Sequence, residues 1–417
     1  MDFLEDLQWR GLVHQCTDID ALTEQLSRGP ITLYCGFDPT AKSLHVGSLV
    51  PLMTLRRFLA ANHRPLALVG GATGLIGDPS GKSSERVLQT AETVEEQSNA
   101  IRAQIAPFTD GQVRDNLAWT QGLSLLTFLR DVGKHFSVNA MMRRDSVSSR
   151  LLRDGDGISY TEFTYMLLQA FDFLRLSELE GCMLQIGGSD QWGNMCSGVD
   201  LVRRIHGKQV LALTLPLLTT AEGSKFGKTE KGAVWLDAEM TSPWEFYQFW
   251  LNVADADVVR MLKLLTMLSR EDIESLEQTT AERPQAREAQ KALAFDMTKW
   301  VHGPATAQDM ASAAQVLFSK TGDLRQLSLQ TLEMLAKSVP TVTSNGEGST
   351  LTEFVAEAGL EASRTKASQA IKQGGVSVNN QAQLDPFFKA VHSDWLHGRF
   401  LVVKKGKKSF ALVVRAG

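Results

Sequence analysis

The chain has 417 residues, which is too long for one ordinary domain, so we expect two or three. Its 43% hydrophobic and 22% charged content is typical of a soluble globular protein. No stretch reaches the length of a membrane span, and the start, MDFLEDLQWRGLVHQ, lacks a secretory signal, so we expect a cytoplasmic protein without membrane contact. The cysteines are too scattered to predict disulfides or a zinc site: Cys16, Cys35, Cys182 and Cys196.

The first half of the chain alternates short apolar runs with amphipathic segments. ITLYCGF (31–37), PLALVGG (65–71) and GCMLQIGG (181–188) predict buried strands. Strands that alternate with helices and end in glycines indicate an α/β fold with an open parallel sheet. Ligands bind such sheets beyond the carboxyl ends of the strands. Asp190 and Gln191 stand at such an end, after the third run.

The glycine-rich stretch LVGGATGLIGDPSGKS invites a nucleotide-binding interpretation, but its spacing fails two tests. A Walker loop that ends at GKS needs glycine where Ile76 stands, and a dinucleotide fingerprint needs glycine where Ala72 stands. The loop therefore either holds a nucleotide by another pattern or is a plain turn.

The segment SYTEFTYMLLQAFDFL (159–174) predicts a buried helix, which Ser159 begins as the N-cap. Tyr165, Gln169 and Asp172 follow one another at i, i+4 and i+7, so they share one face of this helix. A carboxylate among phenylalanines is unfavourable unless something hydrogen-bonds it. We therefore expect Asp172 to have a polar partner or ligand.

Two stretches place groups that suit a phosphate. His45 and Gly47 precede the predicted helix 49–62, and a helix N-terminus is a natural anion site. GSKFGKTEKG carries Lys225 and Lys228 on a glycine-rich loop, where they could neutralise charge that develops on a polyphosphate.

The second half of the chain is nearly all helical until residue 339. One helix is predicted to begin at Ser242, with Glu245 completing a capping box. The composition of PTVTSNGEGST (340–350) predicts a linker. In the tail, two short helices lead into a turn and a strand, and RFLVVKKGKKSFALVV (399–414) predicts a hairpin with a basic tip.

The tail is basic although the whole chain is acidic. Residues 350–417 contain ten Lys and Arg against five Asp and Glu, a net charge of +5, which leaves −9 for the rest of a chain whose total is −4. This asymmetry suggests a polyanionic partner at the tail, and a solvated basic surface explains the charge equally well.

Together these stretches resemble a class I aminoacyl-tRNA synthetase, and specifically the bacterial tyrosyl-tRNA synthetase family. LHVGS is similar to the HIGH motif of the class and KFGKT to its KMSKS loop, while CGFDPT, GGATGLIGDPS and QIGGSDQWGN look like signatures of the tyrosine enzymes. The resemblance covers nearly the whole chain. It implies a Rossmann-like parallel-sheet catalytic domain (1–231), an α-helical anticodon-side domain (232–339), the linker (340–350) and a small α+β, α-L type RNA-binding domain (351–417).

The resemblance also implies roles for individual residues. Substrate tyrosine would be bound by Tyr34 and Asp172 at its phenol, by Asp78, Tyr165 and Gln169 at its ammonium group, and by Gln191 near its carboxylate. ATP would be bound by Cys35, Asp38, Gly47, Ser48, Gly188, Asp190 and Lys228. The catalytic groups at the phosphates would be Thr40, His45, Lys82, Arg86, Lys225 and Lys228. The tRNA contacts would be Arg203, Arg204, Arg364, Lys366, Lys372, Lys404, Lys405, Lys407 and Lys408.

The sequence departs from the resemblance at Ser48. The family usually has histidine or asparagine at this position of the HIGH-like motif, in contact with the ribose. Serine is shorter, but it still donates and accepts a hydrogen bond. We therefore expect weaker ATP binding rather than loss of activity.

The implied reaction is activation of L-tyrosine by ATP to tyrosyl-adenylate, with release of pyrophosphate, and then transfer of tyrosine to the 3′ end of tRNA(Tyr). Mg²⁺ would arrive with ATP, and we expect no protein-bound metal and no DNA partner. A homodimer is implied, and the apolar stretch 123–142 suits either an interface or a core. The alternatives are an aminoacyl-tRNA synthetase of the same class that is specific for tryptophan, a non-catalytic RNA-binding paralogue and a phosphate-loop ATPase.

Overall fold

The computed structural model describes residues 2–80, 87–144, 147–148, 151, 157–224, 226–229, 232–319, 322–344, 349–406 and 409–416. The chain forms two compact units. The first comprises Met1–Asp237 and Ala254–Glu282, and the second comprises Ala238–Val253 and Arg283–Gly417. In the described ranges, no helix combines the length and the apolar character that a membrane crossing requires.

A parallel sheet forms the centre of the first unit. Its described strands are β1 (Gln15–Cys16), β2 (Thr32–Phe37), β3 (Arg64–Val69), β4 (Val113–Asp115), β5 (Leu184–Gly188) and β6 (Leu211–Leu215). Their order is β1-β6-β5-β2-β3-β4; neighbours from β2 to β6 pair in parallel, and β1 pairs antiparallel with β6. The predicted parallel sheet is confirmed: β2 and β5 lie within two of the apolar runs, and β3 begins one residue before the third.

Helices connect these strands and make up most of the second unit. In chain order, the described helices are α1 (Phe3–Trp9), α2 (Ile19–Arg28), α3 (Leu49–Ala60), α4 (Ala91–Ile105), α5 (Leu117–Thr120), α6 (Leu125–Thr127), α7 (Val138–Met142), α8 (Tyr160–Glu180), α9 (Trp192–His206), α10 (Pro243–Leu251), α11 (Asp255–Leu265), α12 (Arg270–Glu282), α13 (Glu288–His302), α14 (Pro304–Phe318), α15 (Leu329–Ser338), α16 (Leu351–Glu357) and α17 (Arg364–Lys372).

Helix α8 is the buried helix that the sequence predicted. Ser159 caps it by accepting a hydrogen bond from the Glu162 backbone at 3.2 Å, and the helix ends at Gly181, whose φ of 63° is left-handed. Phe173 of α8 packs against Tyr34 of β2, with 5.3 Å between ring centroids. Helix α8 thereby covers the face of the sheet on which Tyr34 lies, and it carries its polar residues into the same layer.

The second unit joins helices to a small sheet in the tail. That sheet contains β9 (Thr341–Ser344), β10 (Val376–Val378), β11 (Gln381–Ala382), β12 (Phe400–Lys405) and β13 (Ser409–Arg415), in the order β11-β10-β12-β13-β9. The two remaining strands, β7 (Lys228–Thr229) and β8 (Gly232–Ala233), form a separate two-stranded ribbon in the first unit. The predicted hairpin is β12 and β13. The predicted capping box of α10 is also present, because Ser242 Oγ accepts from the Glu245 backbone at 3.3 Å and the Ser242 backbone donates to Glu245 Oε2 at 3.4 Å.

The compact units divide the chain differently from the expected domains. Ala254–Glu282 belongs with the first unit, although it was expected in the helical domain. The linker 340–350 contains β9, which pairs in parallel with β13 of the tail sheet. The boundaries at 231, 339 and 350 remain predictions about sequence domains, and they do not mark the limits of the compact units.

Candidate active site

A cavity of about 340 Å³ lies at the carboxyl ends of the parallel strands. Asp38, Gly70, Asn116 and Asp190 line it just after β2, β3, β4 and β5 end, and Leu217 does so after β6. This is the position at which open parallel sheets bind their ligands. The predicted tyrosine and ATP residues that line this one cavity are Tyr34, Cys35, Asp38, Thr40, His45, Gly47, Ser48, Asp78, Tyr165, Gln169, Asp172, Gly188, Asp190 and Gln191.

Asp172 is buried in α8, and two donors that sequence analysis missed hold its carboxyl group. Asn116 Nδ2 donates to Oδ2 and Trp119 Nε1 donates to Oδ1, each at 2.9 Å. Burial raises the pKa of Asp172 to about 7, and the two hydrogen bonds oppose that rise because they favour the carboxylate. Each carboxylate oxygen can accept more than one bond, so both can still accept one from a ligand.

A chain of hydrogen bonds leads from Asp172 to the other side of the cavity. Asn116 Nδ2 also donates to Thr73 Oγ1 at 3.0 Å, and the Thr73 hydroxyl donates to Asp38 Oδ1 at 2.7 Å. The Tyr165 hydroxyl donates to the other oxygen of Asp38, also at 2.7 Å. Burial, followed by the charge of Asp38, raises the pKa of Tyr165 well above its usual value, so this phenol stays neutral.

Three buried polar atoms in the cavity lining have no hydrogen-bond partner in the part of the chain that the structure describes. They are the Tyr34 hydroxyl and the side-chain carbonyl oxygens of Gln169 and Gln185. Buried polar groups are normally paired, and an unpaired one is unfavourable by about 1–3 kcal/mol. A ligand with complementary donors and acceptors would relieve all three. Burial and the nearby Asp172 raise the pKa of Tyr34 well above its usual value, so it offers a neutral hydroxyl.

Asp78 and Gln191 form a second polar cluster in the cavity lining. Gln191 Nε2 donates to Asp78 Oδ2 at 2.6 Å, and the Ser80 backbone donates to Asp78 Oδ1 at 2.9 Å. Asn194 Nδ2 in turn donates to Gln191 Oε1 at 3.3 Å. The cluster fixes a carboxylate against the cavity, which suits a cationic group of a ligand.

Glycine is required beside His45, at the start of α3. The Gly47 backbone donates to His45 Nδ1 at 2.9 Å, so the proton of the neutral imidazole is on Nε2. A methyl group at Gly47 would lie 2.5 Å from His45 Cε1. Gly70 is equally constrained, because a methyl group there would lie 2.0 Å from Asp38 Oδ1.

Several predicted catalytic cations cannot be located in the cavity. Lys82, Arg86 and Lys225 lie outside the described residues, and only the backbone of Lys228 is described, in β7. Cys35 does line the cavity, and burial raises the pKa of its thiol to about 12. A thiol that stays protonated is a poor nucleophile.

The first two predicted tRNA contacts, Arg203 and Arg204, lie in the last turn of α9. Both side chains are exposed and share an ion pair with Asp200, at 2.9 and 3.6 Å. Exposed ion pairs of this kind contribute about 0–1 kcal/mol, so these arginines can exchange their partner for a phosphate.

The position of Lys404 contradicts the prediction that this residue contacts RNA at the surface of the tail. Its side chain is only 9% exposed, and its ammonium group donates to the Leu317 carbonyl at the end of α14 and to Asn380 Oδ1. Asn380 Nδ2 also donates to the Val316 and Gly322 carbonyls, at 3.1 and 2.8 Å. Lys404 therefore stabilises the interior of the second unit and is not available to a phosphate.

The other predicted tail cations are at the surface or outside the described residues. Lys405 pairs with Glu361 at 2.8 Å, while Lys366 and Lys372 are exposed. Lys407 and Lys408 lie outside the described residues.

Sequence analysis passed over four polar residues at the site: Thr73, Asn116 and Gln185 line the cavity, and Trp119 donates to Asp172. Asn116 and Trp119 follow β4, so their position after a short strand was the available signal. Gln185 is a lone amide in an apolar strand, and β5 places it beside Tyr34 of β2 in the sheet register. A polar residue inside a buried strand is the stronger of these two signals.

The fold and the cavity define a class I aminoacyl-tRNA synthetase. Residues 26–319 match the family of class I tRNA synthetases (W and Y). The solved Aspergillus nidulans mitochondrial tyrosyl-tRNA synthetase, truncated at its C-terminus, is 32% identical with a TM-score of 0.68, over 75% of this chain and 93% of that one. The Archaeoglobus fulgidus tyrosyl-tRNA synthetase is 15% identical with a TM-score of 0.56, covering 75% of this chain and all of that one, and this likeness shows the fold alone.

Full-length relatives define the family within that class. The tyrosine–tRNA ligase of Bacillus caldotenax is 51% identical, over 99% of each chain, and that of Nocardia farcinica is 50% identical, over 100% of this chain and 99% of its own. Residues 331–413 match the tyrosine–tRNA ligase SYY-like C-terminal domain. The chain belongs to the tyrosine–tRNA ligase family. The alternative of a non-catalytic RNA-binding paralogue finds no support in these relatives.

Proposed function

We propose that this chain activates L-tyrosine with ATP and transfers the tyrosyl group to the 3′ end of tRNA(Tyr). The observation that carries the proposal is the pair formed by Asp172 and the unpartnered Tyr34 hydroxyl, both buried in the cavity lining. A carboxylate accepts and a hydroxyl can donate or accept, which matches a phenol. Phenylalanine would leave the Tyr34 hydroxyl without a partner, which is unfavourable by about 1–3 kcal/mol, and it would not supply the additional hydrogen bond that Asp172 can accept.

The remaining polar groups orient the other end of tyrosine. The Asp78 carboxylate and the unpartnered Gln169 carbonyl oxygen are acceptors for the α-ammonium group, and the Tyr165 oxygen can accept as well because its proton is directed to Asp38. Gln191, held by Asp78, lies near the carboxylate of the substrate in this arrangement. Both ends of the amino acid are therefore fixed before it reacts.

In the first step, a carboxylate oxygen of tyrosine attacks the α-phosphorus of ATP. The bond from that phosphorus to the bridging oxygen breaks, and its electron pair leaves with pyrophosphate. Mg²⁺ arrives with ATP as part of the substrate complex. The proposed ATP-binding groups are Cys35, Asp38, Gly47, Ser48, Gly188, Asp190 and Lys228, and those that would stabilise the phosphates are Thr40, His45, Lys82, Arg86, Lys225 and Lys228.

In the second step, a hydroxyl of the terminal adenosine of tRNA attacks the carbonyl carbon of tyrosyl-adenylate and loses its proton, and AMP leaves with the electron pair of the broken bond between that carbon and the phosphate oxygen. No covalent enzyme intermediate is involved in this proposal. The protonated Cys35 thiol is consistent with that, because it is not activated for attack. Catalysis rests on positioning and on stabilisation of developing charge.

The partners follow from the same proposal. Arg203 and Arg204 would meet the acceptor stem, and exposed tail cations would contact other tRNA phosphates. The chain would act as a homodimer in the cytoplasm, without DNA or membrane partners. The apolar side chains exposed on α6 and α7, such as Leu125, Leu126 and Val138, support a subunit interface there.

ATP–pyrophosphate exchange tests the proposal directly. The natural chain is assayed with tyrosine, phenylalanine and tryptophan, beside Asp172→Ala and the control Asp20→Ala, which removes an exposed carboxylate of α2. We expect exchange with tyrosine alone in the natural chain and the control, and lost or indiscriminate exchange in Asp172→Ala. Exchange with none of the three amino acids in the natural chain would refute the proposed activity.

A further inference from the structure

A groove in the tail carries an exposed phenylalanine to which the proposed reaction assigns no role. The groove is formed by residues of α16, α17 and the segment around Phe387, and its volume is about 780 Å³. Phe387 is 74% exposed. Two cations, Arg364 and Lys372, and the amide of Gln369 line the same groove. An aromatic face, two cations and an amide thus border one space, together with the carboxylate of Glu353.

The backbone holds the Phe387 ring outward. Its neighbour Phe388 packs against the hydrophobic core of the tail, so the two rings point to different environments. The Phe387 backbone donates to Asp385 Oδ1 at 2.9 Å, and the Thr352 hydroxyl donates to the Pro386 carbonyl at 2.7 Å. These bonds fix the segment to the start of α16. The exposed ring is therefore preorganised for a flat partner.

The cations of the groove can pair with an anion. Arg364 is 64% exposed and lies 3.2 Å from Glu353 and 3.7 Å from Glu357. Exposed pairs of this kind contribute about 0–1 kcal/mol, so Arg364 can exchange a carboxylate for a phosphate. Lys372 is exposed in the last turn of α17 and has no ion pair among the described residues.

We propose that this groove binds an unpaired nucleotide of the tRNA, with its base stacked on Phe387 and its phosphate paired with Arg364 or Lys372. The inference rests on the proposed function and localises one contact with its RNA partner. Stacking on an aromatic side chain is the usual way in which proteins hold an unstacked base, and Gln369 can bond the base edge. Residues 350–417 have a net charge of +5, or +4 without the buried Lys404, against −9 elsewhere, and this excess favours RNA over a protein partner.

The test compares variants of Phe387 in the full-length chain. Phe387→Ala removes the ring, Phe387→Tyr keeps it, and Val391→Ala removes an apolar side chain that is 61% exposed and lies outside the groove. The tRNA probes carry 2-aminopurine at one unpaired position at a time. We expect Phe387→Ala to raise the Kd for tRNA about ten- to hundredfold and to abolish the fluorescence quenching at one position. Phe387→Tyr should restore both, and Val391→Ala should change neither.

Two further variants test the proposed phosphate contact separately from the stacking on Phe387. Arg364→Gln and Lys372→Gln should each lower the slope of log Kd against log salt by about one if that side chain pairs with a phosphate. A Kd within about twofold of the natural value in Phe387→Ala, with unchanged salt slopes in both cation variants, would overturn the inference. A change in self-association without a change in tRNA binding would assign the surface to a second copy, and would also overturn it.

Failure of this inference can be told apart from failure of the proposed function. If the natural chain exchanges pyrophosphate with tyrosine and charges tRNA while Phe387→Ala binds tRNA normally, only the groove assignment fails. If the natural chain neither exchanges pyrophosphate nor binds tRNA, the function fails and the groove assignment with it.

Discussion

The indole nitrogen of Trp119 donates a hydrogen bond of 2.9 Å to Oδ1 of Asp172, and Asn116 holds the other oxygen of that carboxyl group. The buried acceptor is therefore oriented before a substrate arrives. A ligand that bonds to it does not have to immobilise it, so less of the binding free energy is lost to ordering.

Replacing Trp119 with phenylalanine should weaken tyrosine binding. The substitution keeps an aromatic ring but removes the donor, and hydrogen bonds to charged groups contribute about 1.5–3 kcal/mol. We expect the KM for tyrosine in pyrophosphate exchange to rise about ten- to hundredfold, with little change in the KM for ATP. Trp9→Phe, outside the cavity, is the matched control. An unchanged KM for tyrosine would show that Asn116 alone suffices to orient Asp172.

Asp172 should make the stability of the chain depend on pH. Its pKa is about 7 in the folded chain, whereas an unfolded aspartate titrates near pH 4, so between these values the folded state binds more protons. The contribution of Asp172 to the free energy of unfolding therefore falls as pH rises from about 4 to 7. Thermal unfolding of the natural chain and Asp172→Asn measures this.

The free energy of unfolding of Asp172→Asn, relative to that of the natural chain, should increase between pH 5 and pH 8. The substitution also alters hydrogen bonds, and this shifts the stability difference by the same amount at every pH. The test therefore uses only the change of that difference with pH. A difference that is flat across this range would contradict the raised pKa.

Substituting Ser48 should strengthen ATP binding. Ser48 ends the short turn before α3 and lines the cavity, where a longer side chain could reach the ribose. One additional hydrogen bond contributes about 0.5–1.5 kcal/mol. We expect Ser48→Asn to lower the KM for ATP about two- to tenfold and to leave the KM for tyrosine unchanged. An unchanged KM for ATP would mean that serine already serves the ribose as well.

Replacing Lys404 with methionine should destabilise the second unit without affecting adenylate formation. The substitution leaves the Leu317 carbonyl and Asn380 Oδ1 without their donor, at about 1–3 kcal/mol. We expect a lower Tm, unchanged pyrophosphate exchange and weaker tRNA charging. Lys366→Met, at an exposed position of α17, should leave the Tm unchanged. Equal Tm values for the two variants would contradict an interior role for Lys404.

Local patterns carried most of the fold and of the cavity lining. Buried parallel strands appear as apolar runs that end in glycine, so β2, β3 and β5 could be read directly. The helical spacing of Tyr165, Gln169 and Asp172 placed them on one face of α8, and that face borders the cavity.

The missed features depend on contacts between distant segments. Asn116 meets Asp172 across 56 positions, and no local periodicity encodes such a meeting. The prediction for Lys404 was wrong for another reason. Residues of β12 are buried on both faces, so the alternation that normally separates inward from outward side chains does not apply there. A basic sequence at the tip of a hairpin was therefore not a basic surface along its whole length.

The hydrogen-bond chain from Asp172 through Asn116 and Thr73 to Asp38 and Tyr165 has a consequence for redesign of the pocket. Each of the five side chains is held by a hydrogen bond to its neighbour in the series, so a substitution at one end changes the environment of the other. The effects of paired substitutions within this series of hydrogen bonds will not be additive. An effort to admit a different amino acid should therefore vary these five positions as a set, since a library that changes them singly would discard combinations that work only together.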